Sequence, residues 1–233
     1  MLVIMRKEDR EKKITEDLRK VYNDISGEFD LTRGYAWKEF DLLRPYIGGT
    51  DCYVADLGCG NGRLLDFLSK NGFGGNYVGV DNAISFLEIA RRKYPDRDFV
   101  EGSLTDIPCV DSSIDVLAVV ASFHHLPSVE ARREALAEFS RVLKGGGVLY
   151  LTVWNLMGQV KYKKYVRRAF LKSLVSSFKS RDLFIPWGQS RIMRYYYAFE
   201  LNEIRDLLIG SGFDIVEEEV GNNFVFVCRK TVK

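Results

Sequence analysis

The sequence predicts an α/β fold, a doubly wound and mostly parallel seven-stranded sheet that ends in a C-terminal antiparallel hairpin. Three observations carry this expectation. Between residues 53 and 153 short apolar runs alternate with amphipathic stretches, a pattern that calls for parallel strands covered by helices on both faces. Asp56-Leu57-Gly58-Cys59-Gly60-Asn61-Gly62 stands where the first apolar run gives way to the first amphipathic stretch. The last two runs, 213–220 and 224–228, flank Gly221-Asn222-Asn223, residue types that accept the positive φ of a tight turn.

In chain order, residues 6 to about 25 carry Ile14, Leu18, Val21 and Ile25 at helical spacing, and Trp37, Phe40, Leu42 and Leu43 repeat the pattern before Pro45. These predict two leading helices. Strands follow at 53–57, 77–80, 98–101, 114–120 and 148–153, with helices at 62–71, 83–93 and 129–143. Ser128 is placed to cap the last of these helices, Glu130 favours its positive end, and Gly145 is expected to stop it. After a less regular stretch a helix is expected at 200–210, before the hairpin. No repeat or low-complexity linker divides the chain, so a single domain is expected: leading helices to residue 47, a core at 50–155, an insertion at 156–198, and a terminal helix and hairpin at 199–233.

Composition narrows the function. The 233 residues are 46% hydrophobic and 28% charged, with 34 basic and 32 acidic side chains, so no overall attraction to nucleic acid or membrane follows. The distribution is uneven. Residues 156–194 hold ten Lys or Arg against one acid, net +9, while the remainder is net −7. Cys52, Cys59, Cys109 and Cys228 form no C-x-x-C pair, which argues against a disulfide framework and a zinc site and fits a reducing cytoplasm. The apolar residues 2–5 meet Arg6 and Lys7 at once, and no run approaches the roughly 18 residues needed to cross a bilayer, so no membrane role is expected.

The loop spacing is G-x-G-x-G rather than the G-x-G-x-x-G that cradles a pyrophosphate, which suits a compact zwitterionic amino acid at a helix N-terminus. Asp81 ends the second strand, where a carboxylate accepts hydrogen bonds from ribose hydroxyls, although Asp81 or Asn82 also suits a helix cap. In Thr105-Asp106-Ile107, after the third strand, Asp106 is a candidate acceptor for an adenine amino group, with Ile107 against the ring. Three acids at successive strand ends around a glycine loop form a pattern that resembles the class I S-adenosylmethionine (SAM)-dependent methyltransferases, with their Rossmann-like sheet. The resemblance implies SAM as cofactor, held by Asp56, Gly58, Cys59, Gly60, Asn61, Gly62, Asp81, Asn82, Thr105, Asp106 and Ile107, with Tyr22 folding over from the N-terminal segment.

Further segments bear on the acceptor: residues 21–33 and Trp37; Ser122-Phe123-His124-His125-Leu126; Val153-Trp154-Asn155; and Ile185-Pro186-Trp187 with Met193-Arg194-Tyr195-Tyr196-Tyr197. Together they resemble the tRNA wobble-uridine carboxymethyl methyltransferases. That resemblance implies methyl-ester formation on a 5-carboxymethyl group of the anticodon wobble uridine. A carboxylate is ionised at neutral pH, so its SN2 attack on the sulfonium methyl requires no general base, and positioning carries the catalysis. His125, Arg33, Arg194 and Asn155 are the candidate donors, with Arg33 or Arg194 expected on a carboxylate of substrate or of SAM. Trp154, Trp187, Tyr195 and Tyr196 are candidates to stack on a splayed base, and Lys161, Lys163, Lys164, Arg167 and Arg168 to meet phosphates.

Plainer readings stand beside these. His124 reads as a strand-end structural residue, Tyr195-Tyr196-Tyr197 as a strand with alternate rings inward, and the basic stretch as a solvated helix face. A small-molecule methyltransferase is the rival reading. By resemblance only, a small zinc-binding activator protein is an expected partner, with the edge strand near Phe99 and Val100 as its docking place.

Overall fold

The computed structural model describes residues 7–32, 37–176, 178–188 and 191–232. Seven strands form one sheet in the order β3-β2-β1-β4-β5-β9-β8. The strands are β1 (Tyr53–Leu57), β2 (Asn76–Asp81), β3 (Asp98–Glu101), β4 (Ile114–Val120), β5 (Leu143–Trp154), β8 (Phe213–Val220) and β9 (Asn223–Lys230). The first five in that order are parallel, and β9 lies antiparallel between β5 and β8. The α/β sheet with its terminal hairpin is the predicted one. Its central strands β1 and β4 are buried along most of their length, as strands covered on both faces are. One core face gathers Leu57, Val119, Phe139 and Phe226, and the other Leu65, Tyr77, Tyr150 and Val227.

Differences from the expected elements have local causes. Helix α1 (Lys7–Thr32) runs about two turns beyond residue 25, and its inner stripe of Ile14, Leu18, Tyr22, Ile25 and Phe29 extends the 3–4 spacing that predicts it. The second leading helix is a 3₁₀ helix, Lys38–Tyr46, not an α-helix; Phe40 and Leu43 are three apart and both buried, the spacing that a three-residue turn aligns. Ser128 caps α4 (Val129–Val142) as expected, accepting from the Ala131 N–H at 3.1 Å. Gly145 does not stop that helix. Leu143 already leaves the helical conformation, β5 starts there rather than at 148, and Gly146 takes a φ of 71° inside a register shift against β4. In the hairpin neither Gly221 nor Asn222 adopts a left-handed φ, so the turn does not use the freedom that singled it out.

The insertion is ordered into α5 (Lys163–Ser173) and a separate two-stranded antiparallel sheet, β6 (Asp182–Trp187) with β7 (Ile192–Tyr197). Leu156, Ala169, Leu183, Ile185, Tyr196 and Ala198 give this unit a small core of its own. Alternation along β7 divides its residues: Tyr195 and Tyr197 join the main core, while Arg194 and Tyr196 face the other way. The remaining helices are α2 (Arg63–Lys70), α3 (Ile84–Lys93) and α6 (Leu201–Gly210), the last opened by a reciprocal capping box between Glu200 and Glu203. Among the described residues no helix is long and apolar enough to cross a membrane.

Candidate active site

A cavity of about 320 Å³ opens at the C-terminal ends of β1, β2, β4 and β5, where parallel α/β sheets characteristically hold ligands. Its first half rises from β1. The Gly58 and Cys59 N–H groups both donate to the Val80 carbonyl, at 2.7 and 3.1 Å, which bends the loop back onto β2. Gly58 has φ 71°, and a Cβ there would lie 2.6 Å from that of Ser122, so only glycine fits. A Cβ on Gly60 would instead enter open space, leaving room for a ligand to lie on the loop. Asp81 fastens the floor: its Oδ2 accepts from the Gly60 N–H and its Oδ1 from the Ala83 N–H, each at 2.9 Å.

Burial raises the pKa of Asp81 against the pull of those N–H groups. Asp56 is 1% exposed and accepts the Tyr77 hydroxyl at 2.9 Å. Burial, opposed by that hydrogen bond and helped by Asp81, pushes its pKa up to about 7. Asn82, Ser103, Leu104 and Thr105 continue the lining. A bare-backbone loop, a buried acid at the second strand end and this polar third wall fit SAM, which Gly58, Gly60, Asp81 and Thr105 would hold.

Two expected cofactor residues are not part of that wall. Ser103 and Asp106 pair across a tight turn, which leaves Asp106 exposed and outside the lining. Ile107, 2% exposed, sinks into the main core with its N–H on Glu138 at 2.9 Å. Cys59 and Asn61 line the cavity; Asn61 donates to Asp30 of α1 at 2.8 Å. Gly62 stands just behind the loop as the N-terminal cap of α2, with φ 80°.

The second half is a wall of rings. Tyr22 and Phe29 of α1, Trp37, His124 and His125 after β4, Trp154 at the end of β5, Trp187 of β6, and Arg194 and Tyr196 of β7 line it. Trp154 and Tyr196 stack with centroids 5.0 Å apart, and Phe29 stacks on Trp187 at 5.5 Å. Arg194 is 4% exposed, its guanidinium carbon 4.6 Å from the Trp187 centroid and 5.2 Å from that of Tyr196. Among the described residues its Nε has no hydrogen-bond partner and no carboxylate pairs with it.

His125 is spoken for at both nitrogens. Nδ1 lies 2.7 Å from the Tyr195 carbonyl, which only accepts, so Nδ1 donates and Nε2 accepts from the Tyr22 hydroxyl at 2.7 Å. Burial and the nearby Arg194 charge, against the carbonyl, push its pKa down to about 3, so the ring is neutral.

Other expected donors and rings lie elsewhere. Asn155 is outside the cavity; its amide joins the Gly221 carbonyl to the Gly158 N–H, at 3.0 and 2.9 Å, and so serves the hairpin loop. Tyr195 turns into the core, where its hydroxyl donates to Asp182 at 2.8 Å. Arg33 lies outside the described residues. Lys161, Lys163, Lys164, Arg167 and Arg168 are exposed on the 3₁₀ turn before α5 and on α5, and none lines the cavity.

Sequence reasoning missed Arg132, which is fully buried on α4. Its Nε and Nη2 donate to the Leu126 carbonyl at 3.2 and 3.1 Å, and its guanidinium lies 3.4 Å over the Tyr197 ring, so it fixes the segment bearing the histidines to β7. An Arg on the otherwise apolar stripe of α4 was the available signal. Asp30 was also missed: burial disfavours its charge, yet Lys93 and Asn61 hold its pKa below the usual carboxylate value. It ties α1 to α3 and to the glycine loop.

Comparison with known proteins agrees with this geometry. A family model described as a methyltransferase domain matches residues 55–151. An Encephalitozoon cuniculi protein with a provisional methyltransferase name is 30% identical over 90% of this chain and 92% of its own length. The Xenopus tropicalis tRNA (carboxymethyluridine(34)-5-O)-methyltransferase is 30% identical over 74% of this chain, which spans only 30% of that protein. A Campylobacter jejuni ubiquinone/menaquinone biosynthesis C-methyltransferase is 24% identical over 92% of this chain and 98% of its own. Among solved structures, a SAM-dependent methyltransferase of Methanosarcina mazei superposes with a TM-score of 0.72 at 20% identity, over 85% of this chain and all of that one. With a glycine cradle that fits SAM and relatives matched along almost their whole length, the chain belongs to the SAM-dependent methyltransferases.

Proposed function

We propose that this enzyme esterifies a carboxylate, and that its acceptor is the 5-carboxymethyl group of a tRNA wobble uridine. The observation that carries the reading is Arg194, a buried cation in the acceptor wall with an idle Nε–H and no carboxylate partner among the described residues. A charge so placed is costly until an anion arrives. Bound SAM supplies an electrophilic methyl group, and an ionised carboxylate brings no proton to remove. The wall is suited to that chemistry, since the Nε2 lone pair of His125 and the Nδ1 lone pair of His124 are both occupied, leaving neither ring free as a base. Its rings suit an unstacked base, the exposed cations around α5 suit a phosphate backbone, and the Xenopus relative's name points to the same acceptor. By resemblance, the free edge of β3 is the place for an activator subunit to add a strand.

The test is transfer of radiolabelled methyl from SAM to tRNA bearing 5-carboxymethyluridine, followed by mild alkali and nucleoside mass analysis. Alkali-labile label on the wobble uridine is expected. No transfer, with SAM binding confirmed and an activator present, overturns the reading. The second reading is a small-molecule acceptor, favoured by the near full-length match to the Campylobacter enzyme. Substrate affinity that hardly changes with salt would select it, because contacts to phosphates make RNA binding steeply salt-dependent.

A further inference from the structure

The acceptor wall holds a second buried side chain with an unpartnered donor among the described residues. His124 is fully buried, lines the cavity, and packs its ring 5.6 Å from Trp154 and 5.1 Å from Tyr196, the rings that also flank Arg194. The Trp154 backbone N–H donates to His124 Nδ1 at 3.2 Å. Nδ1 therefore carries no hydrogen, and the neutral ring bears its proton on Nε2. Among the described residues that Nε2–H has no hydrogen-bond partner. Adjacent histidines thus take opposite tautomers: His125 spends both nitrogens on Tyr195 and Tyr22, and His124 keeps one donor in reserve.

We propose that His124 Nε2–H and Arg194 Nε–H form a two-point clamp for the acceptor carboxylate, an inference that rests on the carboxylate reading above. Arg194 matches the charge. His124 donates a neutral hydrogen bond that orients one oxygen without protonating it, so a lone pair stays available for attack. The clamp also separates substrate from product, because the methyl ester is uncharged and loses the ion pair with Arg194. Burial keeps His124 neutral, in line with a donor that works without titrating.

The experiment measures binding of two anticodon stem-loop RNAs, one carrying 5-carboxymethyluridine and one its amide, to the parent and to His124→Asn. The Asn oxygen still accepts from the Trp154 N–H, but no donor reaches the Nε2 position. The parent should prefer the carboxylate about tenfold or more, and the variant should lose most of that preference while binding SAM within about twofold of the parent. A variant that keeps the full preference overturns the role of His124. A parent without any preference overturns the carboxylate reading itself, so the two failures are distinguishable. If His124→Asn fails to bind SAM, the parent decides by nitrogen-labelled histidine NMR: its one Nε2–H resonance should move downfield on adding the carboxylate RNA, and an unmoved resonance overturns the clamp.

Discussion

Across the glycine loop, Asp81 accepts from Gly60 and Ala83 and Asp56 accepts from Tyr77; across the cavity, the donors on Arg194 Nε and His124 Nε2 have no hydrogen-bond partner among the described residues. The cofactor half is thus held in shape by its own hydrogen bonds and presents a finished cradle. The acceptor half carries desolvated donors whose unmet hydrogen bonds an incoming anion would satisfy. Shape does the selecting in the first, and charge in the second.

The sharpest way to break this contrast is Arg194→Met. Losing one partner of a buried charge pair costs about 2–5 kcal/mol, so kcat/KM should fall about a hundredfold while SAM affinity stays near that of the parent. Steady-state kinetics and calorimetry check both, and a matching loss of SAM affinity would merge the two halves. Next in size is Arg132→Met, which strands the Leu126 carbonyl and removes a buried guanidinium. Denaturant unfolding should show a loss of about 3 kcal/mol, since hydrogen bonds from a charged group are lost and the carbonyl they satisfied is left unpaired.

Asp81→Ala probes the other half. It should weaken SAM binding by about tenfold to a hundredfold, the value of one or two hydrogen bonds to a charged group, and calorimetry reads it. The smallest effect is a pH dependence. The folded pKa of Asp56 is raised to about 7, so the folded state holds a proton that the unfolded chain releases near its lower value. Its contribution to stability is present below the unfolded value and lost as pH rises through about 7. His125, pushed down to about 3, contributes above its ordinary value and loses that as pH falls toward 3. In Asp56→Asn the first contribution disappears, so the variant's Tm relative to the parent should rise between about pH 4 and pH 7 and level off above that.

The two halves were also unequally legible. Gly58, Gly60 and Asp81 belong to short stretches whose backbone conformation local residue types impose, so they could be read in order along the chain. The acceptor wall joins Tyr22, His124, Trp154, Trp187 and Arg194 from five segments, and no spacing rule says which ring of a run turns inward. Tyr195 and Tyr196 show the limit: neighbours of one type part to opposite faces because a strand alternates. The two histidines show it again, since their tautomers are set by partners at Trp154 and Tyr195, which are remote in sequence. Asn155 and Ile107 lie at the hairpin loop and in the core rather than in the cavity lining, because a strand end does not reveal whether its side chain meets a ligand, a loop or the core.

The β6–β7 pair bears Trp187, Arg194 and Tyr196 yet hydrogen-bonds to no strand of the main sheet. Its ladder is separate from that of the main sheet, so the side chains it turns to the cavity, Trp187, Arg194 and Tyr196, can change without breaking a hydrogen bond between main-sheet strands, while Tyr195 and Tyr197 anchor it in the main core.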